Sequence, residues 1–246
     1  MKKVSIIMPY YKKKLFFKKT LMSIEKQSYK KFEIIIIYDD TDLTEYYYLK
    51  KITKKNKKIK IILNKSNLGA GLSRNVGVKV AKGHYLAFCD CDDIWKKEKL
   101  ETQINFMKKK KIDFSYTAYN VIDENDKILK KKYFKKKVDF KSLLTHCYLG
   151  LSTVVLKKNL LNRNTNFSNL KTKEDFVLWL KLAKKGTNML GIDKYLTSWR
   201  KANNSLSSSV IQKICDGFRV YFKELKYNKI KSLFLLLHLS INSILK

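Results

Sequence analysis

Three carboxylates occur within four positions of the chain, at Asp90, Asp92 and Asp93, directly after the apolar segment 85–89. If the backbone stays extended there, Asp90 and Asp92 point to the same side, because strand side chains alternate. Such a cluster is unfavourable without a cation. Mg²⁺ or Mn²⁺ is the natural one, since these ions bind carboxylate oxygens and complete their shells with substrate phosphates. The cluster predicts a metal site for a diphosphate ligand; alternatively, Asp93 caps a helix over residues 94–99.

A second acidic pair, Glu174 and Asp175, begins a segment of helical periodicity over residues 174–185, which Gly186 ends. A carboxylate on an element separate from the metal site can act as a general base and remove the proton of a hydroxyl group. The N-terminus of the helix would keep Asp175 ionised. The alternative is that the two acids only complement the helix dipole.

Alternating strand-like and helix-like segments surround these acids and predict an α/β fold with a Rossmann-like, mostly parallel central sheet flanked by helices. The predicted strands are residues 4–8, 32–38, 59–63, 85–89, 114–121 and 153–156, and the predicted helices are 15–27, 72–81, 174–185 and an amphipathic stretch from 211 onward. Ligands of open α/β sheets bind at the carboxyl ends of the strands. The acids that follow strands 32–38 and 85–89 are therefore expected at one binding edge.

The composition is strongly basic, with 54 Lys and Arg against 21 Asp and Glu and a formal charge of +33 over 246 residues. This charge permits attraction to polyanions, but the lysines form many short runs rather than one tail, which is typical of solvated faces. We find no helix-turn-helix, RNA-recognition aromatic motif or zinc module, so no specific nucleic-acid partner is expected. With no secretory signal and no apolar run long enough to span a bilayer, we expect a cytoplasmic protein with free thiols.

An ordered series of motifs over the first hundred residues resembles glycosyltransferase family 2. The motifs are Val4-Ser5-Ile6-Ile7-Met8-Pro9-Tyr10-Tyr11, the strand ending in Asp39, Asn67-Leu68-Gly69, Ser73-Arg74-Asn75, Ala81-Lys82-Gly83-His84-Tyr85 and Asp90-Cys91-Asp92-Asp93-Ile94-Trp95. Later segments, Lys173 to Trp179, Trp199-Arg200 and Ser205-Leu206-Ser207, are similar to the acidic and the basic, serine-rich motifs of the same family. The resemblance implies a GT-A fold and an inverting enzyme that uses a nucleoside-diphosphate sugar with Mg²⁺ or Mn²⁺.

The resemblance also implies roles for individual donor-binding residues. Pro9 and Tyr11 would line the base pocket, Asp39 would hold the uracil or ribose, and Asp90 would serve the ribose. Asn67 belongs to the same donor-binding set. Arg74 would contact phosphate or ribose, the alternative being an ordinary charge on the surface of its helix.

The implied catalytic groups are Asp92 and Asp93 as metal ligands and Asp175 as the catalytic base. Two positions depart from the family pattern. Tyr38 stands where a paired acid usually precedes Asp39, and Lys12 stands where asparagine commonly follows the tyrosine. Both departures leave the identity of the nucleotide less secure.

The predicted organisation is a GT-A domain over residues 1–208, with a nucleotide-sugar half (1–112) and an acceptor half (113–208), followed by a helical extension (209–246). The expected reaction adds one sugar to a glycan or lipid-linked glycan of bacterial surface polysaccharide, lipopolysaccharide or teichuronic-acid type. Lysines flank apolar residues in 229–246, which predicts contact with the inner face of the cytoplasmic membrane. The alternative is a helix that packs on the domain or at a dimer contact.

Two other classes of protein remain as alternatives at this stage. One is a basic protein that binds nucleic acid or another polyanion, which would leave the acids at the strand ends unexplained. The other is a sugar nucleotidyltransferase, which normally has a glycine-rich phosphate loop where this chain has Pro9-Tyr10-Tyr11. The Gly69-Ala70-Gly71 segment does not predict a dinucleotide site, because Arg74 occupies a position that needs a small residue.

Overall fold

The computed structural model describes residues 2–132, 134–202 and 209–244. One mixed sheet is formed by β1 (Val4–Tyr10), β2 (Phe32–Tyr38), β3 (Ile59–Leu63), β4 (Tyr85–Phe88), β5 (Ile94–Trp95), β6 (Phe114–Ile122), β7 (Ile128–Lys131), β8 (Lys137–Val138), β9 (Val155–Lys157) and β10 (Met189–Arg200). The α-helices are α1 (Lys14–Glu25), α2 (Thr44–Thr53), α3 (Ala70–Val80), α4 (Lys99–Lys110), α5 (Phe140–Leu143), α6 (Glu174–Lys184), α7 (Val210–Arg219) and α8 (Lys229–Ile244). A π-helical turn (Val220–Glu224) joins the last two segments of helix.

The strands lie in the order β3-β2-β1-β4-β9-β6-β10-β5, with β7 beside β6 and β8 beside β10. Strands β3, β2, β1 and β4 run parallel, as the sequence predicts for the first hundred residues. Strand β9 is antiparallel to both β4 and β6, and β10 runs parallel to β6. The carboxyl ends of β1, β2 and β4 therefore share one edge, where Asp39 and Asp90 emerge.

The isoleucine run of β2 explains why this strand sits inside the sheet. Ile34 and Ile36 pack into the hydrophobic core on one face, and Ile35 and Ile37 pack into the core on the other face. None of the four is more than 2% exposed. Because successive strand side chains alternate, a continuous β-branched run suits a strand that is covered on both sides.

The boundaries of the predicted elements agree with the structure to within two residues. The structure also contains elements that were not predicted. It lacked α2, α4 and the twelve-residue strand β10. The alternative in which Asp93 caps a helix over 94–99 is wrong. Residues Ile94–Trp95 form β5, paired antiparallel with β10, and α4 begins at Lys99 after Glu98 at its N-cap.

The C-terminal helices pack on the domain through one face. On α8, Leu235 and Leu239 join the hydrophobic core, and Asn242 Nδ2 donates to the carbonyl oxygen of Thr145 at 2.8 Å. Among the residues that the structure describes, none of the helices combines the length and the apolarity needed to cross a bilayer. The division at residues 112 and 208 stays a prediction, and the Ser205-Leu206-Ser207 motif lies outside the described residues.

Candidate active site

Asp39 fixes the loop that leads into α3. Its Oδ1 accepts hydrogen bonds from the backbone N of Leu68 and from Asn64 Nδ2, and its Oδ2 accepts from Gly69 N, each at 2.8 Å. The side chain of Asn67 donates to the carbonyl oxygen of Asp39, also at 2.8 Å. The structure thus brings together Asp39 and Asn67, two residues predicted to bind the donor. The carboxylate of Asp39 is buried and organises the loop.

Pro9 and Tyr11 lie at the end of β1, beside this loop. The backbone N of Asp39 donates to the carbonyl oxygen of Tyr10 at 2.9 Å, so the two strand ends are joined. Tyr11 is 41% exposed and can present its ring to a base. Lys12 has a φ of 49°, in the left-handed region that asparagine tolerates better than lysine. An asparagine at this position would adopt the same backbone conformation with less strain.

Asp90 and Asp92 follow β4 and are both paired with cations. Asp90 Oδ1 lies 2.7 Å from a guanidinium nitrogen of Arg74, and Asp92 Oδ2 lies 2.6 Å from Lys13 Nζ. The backbone N of Asp90 donates to Ser152 Oγ at 3.1 Å, which holds the start of the acidic segment. Burial raises the pKa of Asp92 above its ordinary value, although Lys13 opposes this rise.

Asp93 is fully buried behind the other two acids. Its Oδ1 accepts the backbone N–H of Arg200 at 2.9 Å, while Oδ2 has no hydrogen-bond partner among the described residues. Burial, followed by the charges of Asp92 and Asp90, raises the pKa of Asp93 well above its usual range. Arg200 Nε also donates to the carbonyl oxygen of Asp92 at 2.9 Å. Arg200, on β10, therefore holds the acidic turn through Asp92 and Asp93, and the buried Asp93 carboxylate forms part of this contact.

Arg74 connects the acidic turn to the second acidic pair. Its guanidinium donates to Asp90 Oδ1 at 2.7 Å and to Glu174 Oε1 at 2.5 Å, and it lies 5.5 Å from the centre of the Phe167 ring. The arginine is only 3% exposed, so the alternative of a surface helix charge is wrong. Gly71 lets the backbone of Ser168 and the side chain of Glu174 lie close to α3, because a Cβ at Gly71 would collide with the backbone oxygen of Ser168.

Asp175 is the second residue of α6, next to the bridged Glu174. Its Oδ1 accepts the backbone N–H of Phe176 at 2.7 Å. Burial and then the Glu174 carboxylate raise the pKa of Asp175 to about 7, although Arg74 acts to lower it. The helix N-terminus was predicted to favour the ionised form of Asp175, and burial acts in the opposite direction. A carboxyl group that titrates near neutral pH is well suited to general base catalysis.

The sequence model of glycosyl transferase family 2 matches residues 5–169 of the chain. A putative teichuronic acid biosynthesis glycosyltransferase, TuaG of Bacillus subtilis, is 33% identical over 84% of this chain and 82% of its own length. The chain belongs to glycosyltransferase family 2. The Escherichia coli UDP-Glc:alpha-D-GlcNAc-diphosphoundecaprenol beta-1,3-glucosyltransferase WfgD is 34% identical over 94% of this chain and 82% of its own.

Solved structures confirm the GT-A fold. TarS 1-349 of S. aureus, in complex with UDP-GlcNAc, superimposes with a TM-score of 0.76 at 22% identity, covering 96% of this chain and 71% of its own. The mannosyltransferase PcManGT from Pyrobaculum calidifontis, in complex with GDP-Man and Mn²⁺, gives 0.71 at 13% identity, covering 96% and 72%. The family membership decides against both the sugar nucleotidyltransferase and the polyanion-binding protein, so the chain is a glycosyltransferase.

Two acids at the end of β4 offer carboxylate oxygens to a metal that a ligand would share. Within the described ranges, no three His, Cys, Asp or Glu side chains are arranged to enclose a metal ion. Mg²⁺ is commonly held by one or two carboxylates plus substrate phosphates, and Asp90 and Asp92 offer such oxygens at one strand end. Lys13 contacts Asp92 and Arg74 contacts Asp90, so a metal bound to these carboxylates would compete with both cations.

Several residues that support the site were not assigned roles from the sequence. Lys13, Ser152, Glu174 and Arg200 each contact one of the predicted acids or their partner Arg74. They come from four different parts of the chain, and no local spacing relates them. The acidic character of Glu174 was noted, but its bridge to Arg74 spans a hundred positions and is visible only in the fold.

Proposed function

We propose that this enzyme transfers one sugar at a time, with inversion, from a UDP-sugar to a hydroxyl group of a glycan or lipid-linked glycan in bacterial surface polysaccharide, lipopolysaccharide or related synthesis. UDP as the nucleotide is supported by the name of WfgD and by the UDP-GlcNAc complex of TarS. A lipid-linked diphosphate acceptor is supported by the same relative, whose name specifies alpha-D-GlcNAc-diphosphoundecaprenol.

The observation that carries the proposal is the Arg74 bridge. It fixes Asp90, at the donor end of the sheet, and Glu174, at the start of α6, on one guanidinium group. Asp175, which follows Glu174 directly, is thereby held beside the donor acids. An inverting transfer needs a base near the donor, because the acceptor hydroxyl must lose its proton as it attacks the anomeric carbon from the face opposite the departing diphosphate.

Asp175 would accept the proton of the acceptor hydroxyl as its oxygen forms the new bond to the anomeric carbon. The bond between that carbon and the donor phosphate oxygen breaks, and the electron pair leaves with the nucleoside diphosphate. The pKa of Asp175, raised to about 7, makes the carboxylate a stronger base than an ordinary aspartate while a large fraction stays ionised at neutral pH.

Asp92 would hold the divalent metal, with Asp90 beside it. Asp93, which was predicted as the second ligand, is fully buried and would instead support the turn. A bound metal supplies positive charge that stabilises the departing diphosphate. Asp39 and Asn67 shape the loop beside the base pocket, and Tyr11 offers its exposed ring there.

The test is binding and turnover of UDP-Glc, UDP-GlcNAc and GDP-Man, each with Mn²⁺, Mg²⁺ or EDTA. We expect metal-dependent binding of one UDP-sugar to the wild type and its loss in Asp92→Asn. Asp175→Asn should keep donor binding and lose transfer by about 10²- to 10⁴-fold. Asp113→Asn serves as the control, because this half-buried acid pairs with Lys157 away from the site. Binding of no sugar nucleotide by the wild type would refute the proposal.

The proposed function includes contact with the membrane, where a lipid-linked acceptor resides. While one face of α8 packs on the domain, its other face carries five large apolar residues, Ile230, Leu233, Phe234, Leu237 and Ile241, that are 45% to 82% exposed. Exposed lysines flank this face, and α7 adds three further apolar residues, Val210, Ile211 and Ile214. Such a combination suits an anionic bilayer surface.

Liposome flotation of the full chain tests this contact. Vesicles with about a third of anionic lipid should carry the wild type upward, and neutral vesicles should carry less, because the basic residues contribute to binding. The double variant Leu233→Gln and Phe234→Gln should float poorly. Leu15→Gln, at a more exposed apolar residue on α1, should float normally. Equal flotation of all three proteins would exclude α8 from membrane contact.

A further inference from the structure

Arg200 is a charged side chain that lies fully inside the protein. None of its side-chain surface is exposed, and its guanidinium carbon lies 4.6 Å from the centre of the Phe16 ring. One terminal nitrogen donates to the carbonyl oxygen of Asp123 at 2.6 Å, and the other donates to Asp126 Oδ1 at 2.5 Å. Among the described residues, Asp126 is the only carboxylate that forms an ion pair with Arg200. A buried charge depends on such a partner.

Asp126 lies in the turn of the β6–β7 hairpin, which several hydrogen bonds close. Asp123 Oδ1 accepts the backbone N–H groups of Asn125 and Lys127, both at 2.9 Å. The backbone N of Asp126 donates to the carbonyl oxygen of Asp123 at 3.3 Å, and Arg200 donates to the same oxygen. Asp126 has a left-handed φ of 70°, which glycine adopts without a steric cost. The backbone alone would therefore favour glycine here, whereas the ion pair requires the carboxylate.

The other oxygen of the Asp126 carboxylate contacts α1. Lys19 Nζ lies 2.7 Å from Asp126 Oδ2, and 60% of the Lys19 side chain is exposed. An exposed ion pair of this kind contributes little in water. Breaking the pair with the buried Arg200 would instead leave a charge inside the protein without its partner. The contact with Arg200 is therefore the one that matters for the surrounding structure.

Arg200 also connects the hairpin turn to the acidic turn, residues 90–93. Its Nε donates to the carbonyl oxygen of Asp92, and its backbone N donates to Asp93 Oδ1, both at 2.9 Å. Without Asp126, the buried guanidinium would gain free energy by moving toward water. This movement would release the carbonyl oxygen of Asp92 and displace the carboxylate of the same residue.

We propose that Asp126 is a positioning residue for the donor site: its ion pair with Arg200 fixes the acidic turn, and with it the Asp92 carboxylate, where the donor and its metal require it. This inference rests on the proposed function and adds to it a residue that acts through Arg200 rather than by touching the donor. Asp175 lies on α6, outside this series of contacts. Asp126 should therefore affect donor binding and leave proton transfer unchanged.

The first test measures binding of UDP with Mn²⁺ by calorimetry. Loss of an outer partner of a metal ligand weakens metal binding by about 10- to 100-fold. Because Asp126 acts through Arg200, we expect a weakening of about 10-fold in Asp126→Gly, the low end of that range. Glycine suits the left-handed φ, so the backbone does not oppose folding of this variant. Asp126→Asn should lose less affinity, because its amide oxygen still accepts a hydrogen bond.

Two controls separate the Arg200 contact from a general loss of charge. Lys19→Gln removes the other partner of Asp126 and leaves the pair with Arg200 intact. Asp193→Asn removes one carboxylate from an exposed position of β10. Each control should change the affinity for UDP with Mn²⁺ by less than about threefold.

Steady-state turnover of the UDP-sugar that the wild type binds distinguishes positioning from mere support of the fold. Asp126→Gly should raise KM for the donor by about 10-fold, with kcat within about twofold of the wild type at saturating donor and Mn²⁺. The pH midpoint assigned to Asp175 should stay where it is. A preparation that contained less folded enzyme would instead show a lower kcat at an unchanged KM.

A double variant tests whether Asp126 acts through Arg200. In the background of Arg200→Met, Asp126→Gly should cause no further loss of affinity for UDP with Mn²⁺, because the connection is already broken. Effects that multiply in the double variant would mean that the carboxylate acts by another route, and the inference would be wrong. If Arg200→Met does not fold, the binding and turnover of the single Asp126 variants decide the question.

The outcomes for the inference and for the proposed function can be told apart. If the wild type binds UDP and Asp126→Gly binds it equally well, the positioning role is wrong while the proposed function stands. If Asp126→Gly lowers kcat at an unchanged KM, the carboxylate only supports the fold. If the wild type binds no UDP, the proposed function fails, and the inference fails with it.

Discussion

Substitution of Arg74 is the first prediction, because this one side chain should affect both the free energy of unfolding and the pKa of the proposed base. Arg74→Met removes the guanidinium and keeps an unbranched apolar stem. The side chain of its partner Glu174 is only 11% exposed, so its carboxylate loses a compensating charge inside the protein. Breaking a buried pair in this way destabilises by about 3–5 kcal/mol. For a domain of this length, that corresponds to a fall in Tm of roughly 6–20 °C.

The same substitution changes the titration of the presumed base. Arg74 lowers the pKa of Asp175, and Glu174 raises it, so removing Arg74 should move the pKa above its present value of about 7. The midpoint of the rise in kcat/KM with pH should move upward. A carboxyl whose folded pKa lies above its unfolded value stabilises the fold at low pH and loses this contribution as pH rises through the folded pKa. Arg74→Met should therefore be less destabilising at pH 5 than at pH 8.

Urea unfolding at both pH values and pH–rate profiles of transfer test these expectations. Adding Glu174→Gln to Arg74→Met should recover a large part of the lost stability, because the unpaired charge is then gone. Arg163→Met, on an exposed arginine, should change the unfolding free energy by less than about 0.5 kcal/mol. If Arg74→Met instead has the unfolding free energy of the wild type and an unchanged midpoint in its profile of kcat/KM against pH, that result would refute the view that this guanidinium holds the two acidic pairs together.

Three further changes test the packing and chemistry of the site. Gly71→Ala should destabilise by about 1–3 kcal/mol in urea unfolding, since its Cβ would push the Ser168 backbone and the Glu174 side chain away from α3. Trp179→Ala should destabilise by about 3–5 kcal/mol in the same assay, because this ring is fully buried against Phe114. In the wild type, kcat/KM should increase with pH to a plateau above the Asp175 pKa of about 7, and a profile that falls over this range would contradict its role as base.

The sheet and the acids at its edge were predictable because their signals are local. The isoleucine run of β2 and the acids after β4 occupy adjacent positions. The strand alternation assumed for Asp90 and Asp92 is wrong, because β4 ends at Phe88 and the acids form a turn in which Asp93 N donates to the carbonyl oxygen of Asp90. Strand β10 was not predictable in this way. Its polar pair Asp193 and Lys194 is exposed where the register with β6 shifts, which breaks the period-two pattern.

The partners of the site could not be predicted, because they depend on contacts between distant segments. The clamp from Arg200 onto the acidic turn joins positions more than a hundred residues apart. The raised pKa of Asp175 has a similar origin. A helix N-terminus and a carboxylate are both visible in sequence, but the burial that raises the pKa arises only when α6 packs in the fold.

The C-terminal helices have two roles, the proposed membrane contact and support of the start of α6. A variant that lacks these helices would lose both at once. The exposed apolar faces of α7 and α8 are the surfaces proposed to contact a membrane, while the buried face of α7 carries Asp216, which fixes Thr172 just before the base-bearing helix. Removing these helices would therefore disturb Lys173 and Asp175 even if no membrane were involved. Substitutions confined to exposed positions such as Leu233 leave Asp216 in place. Only such substitutions can separate a loss of membrane contact from a loss of the acceptor side of the active site.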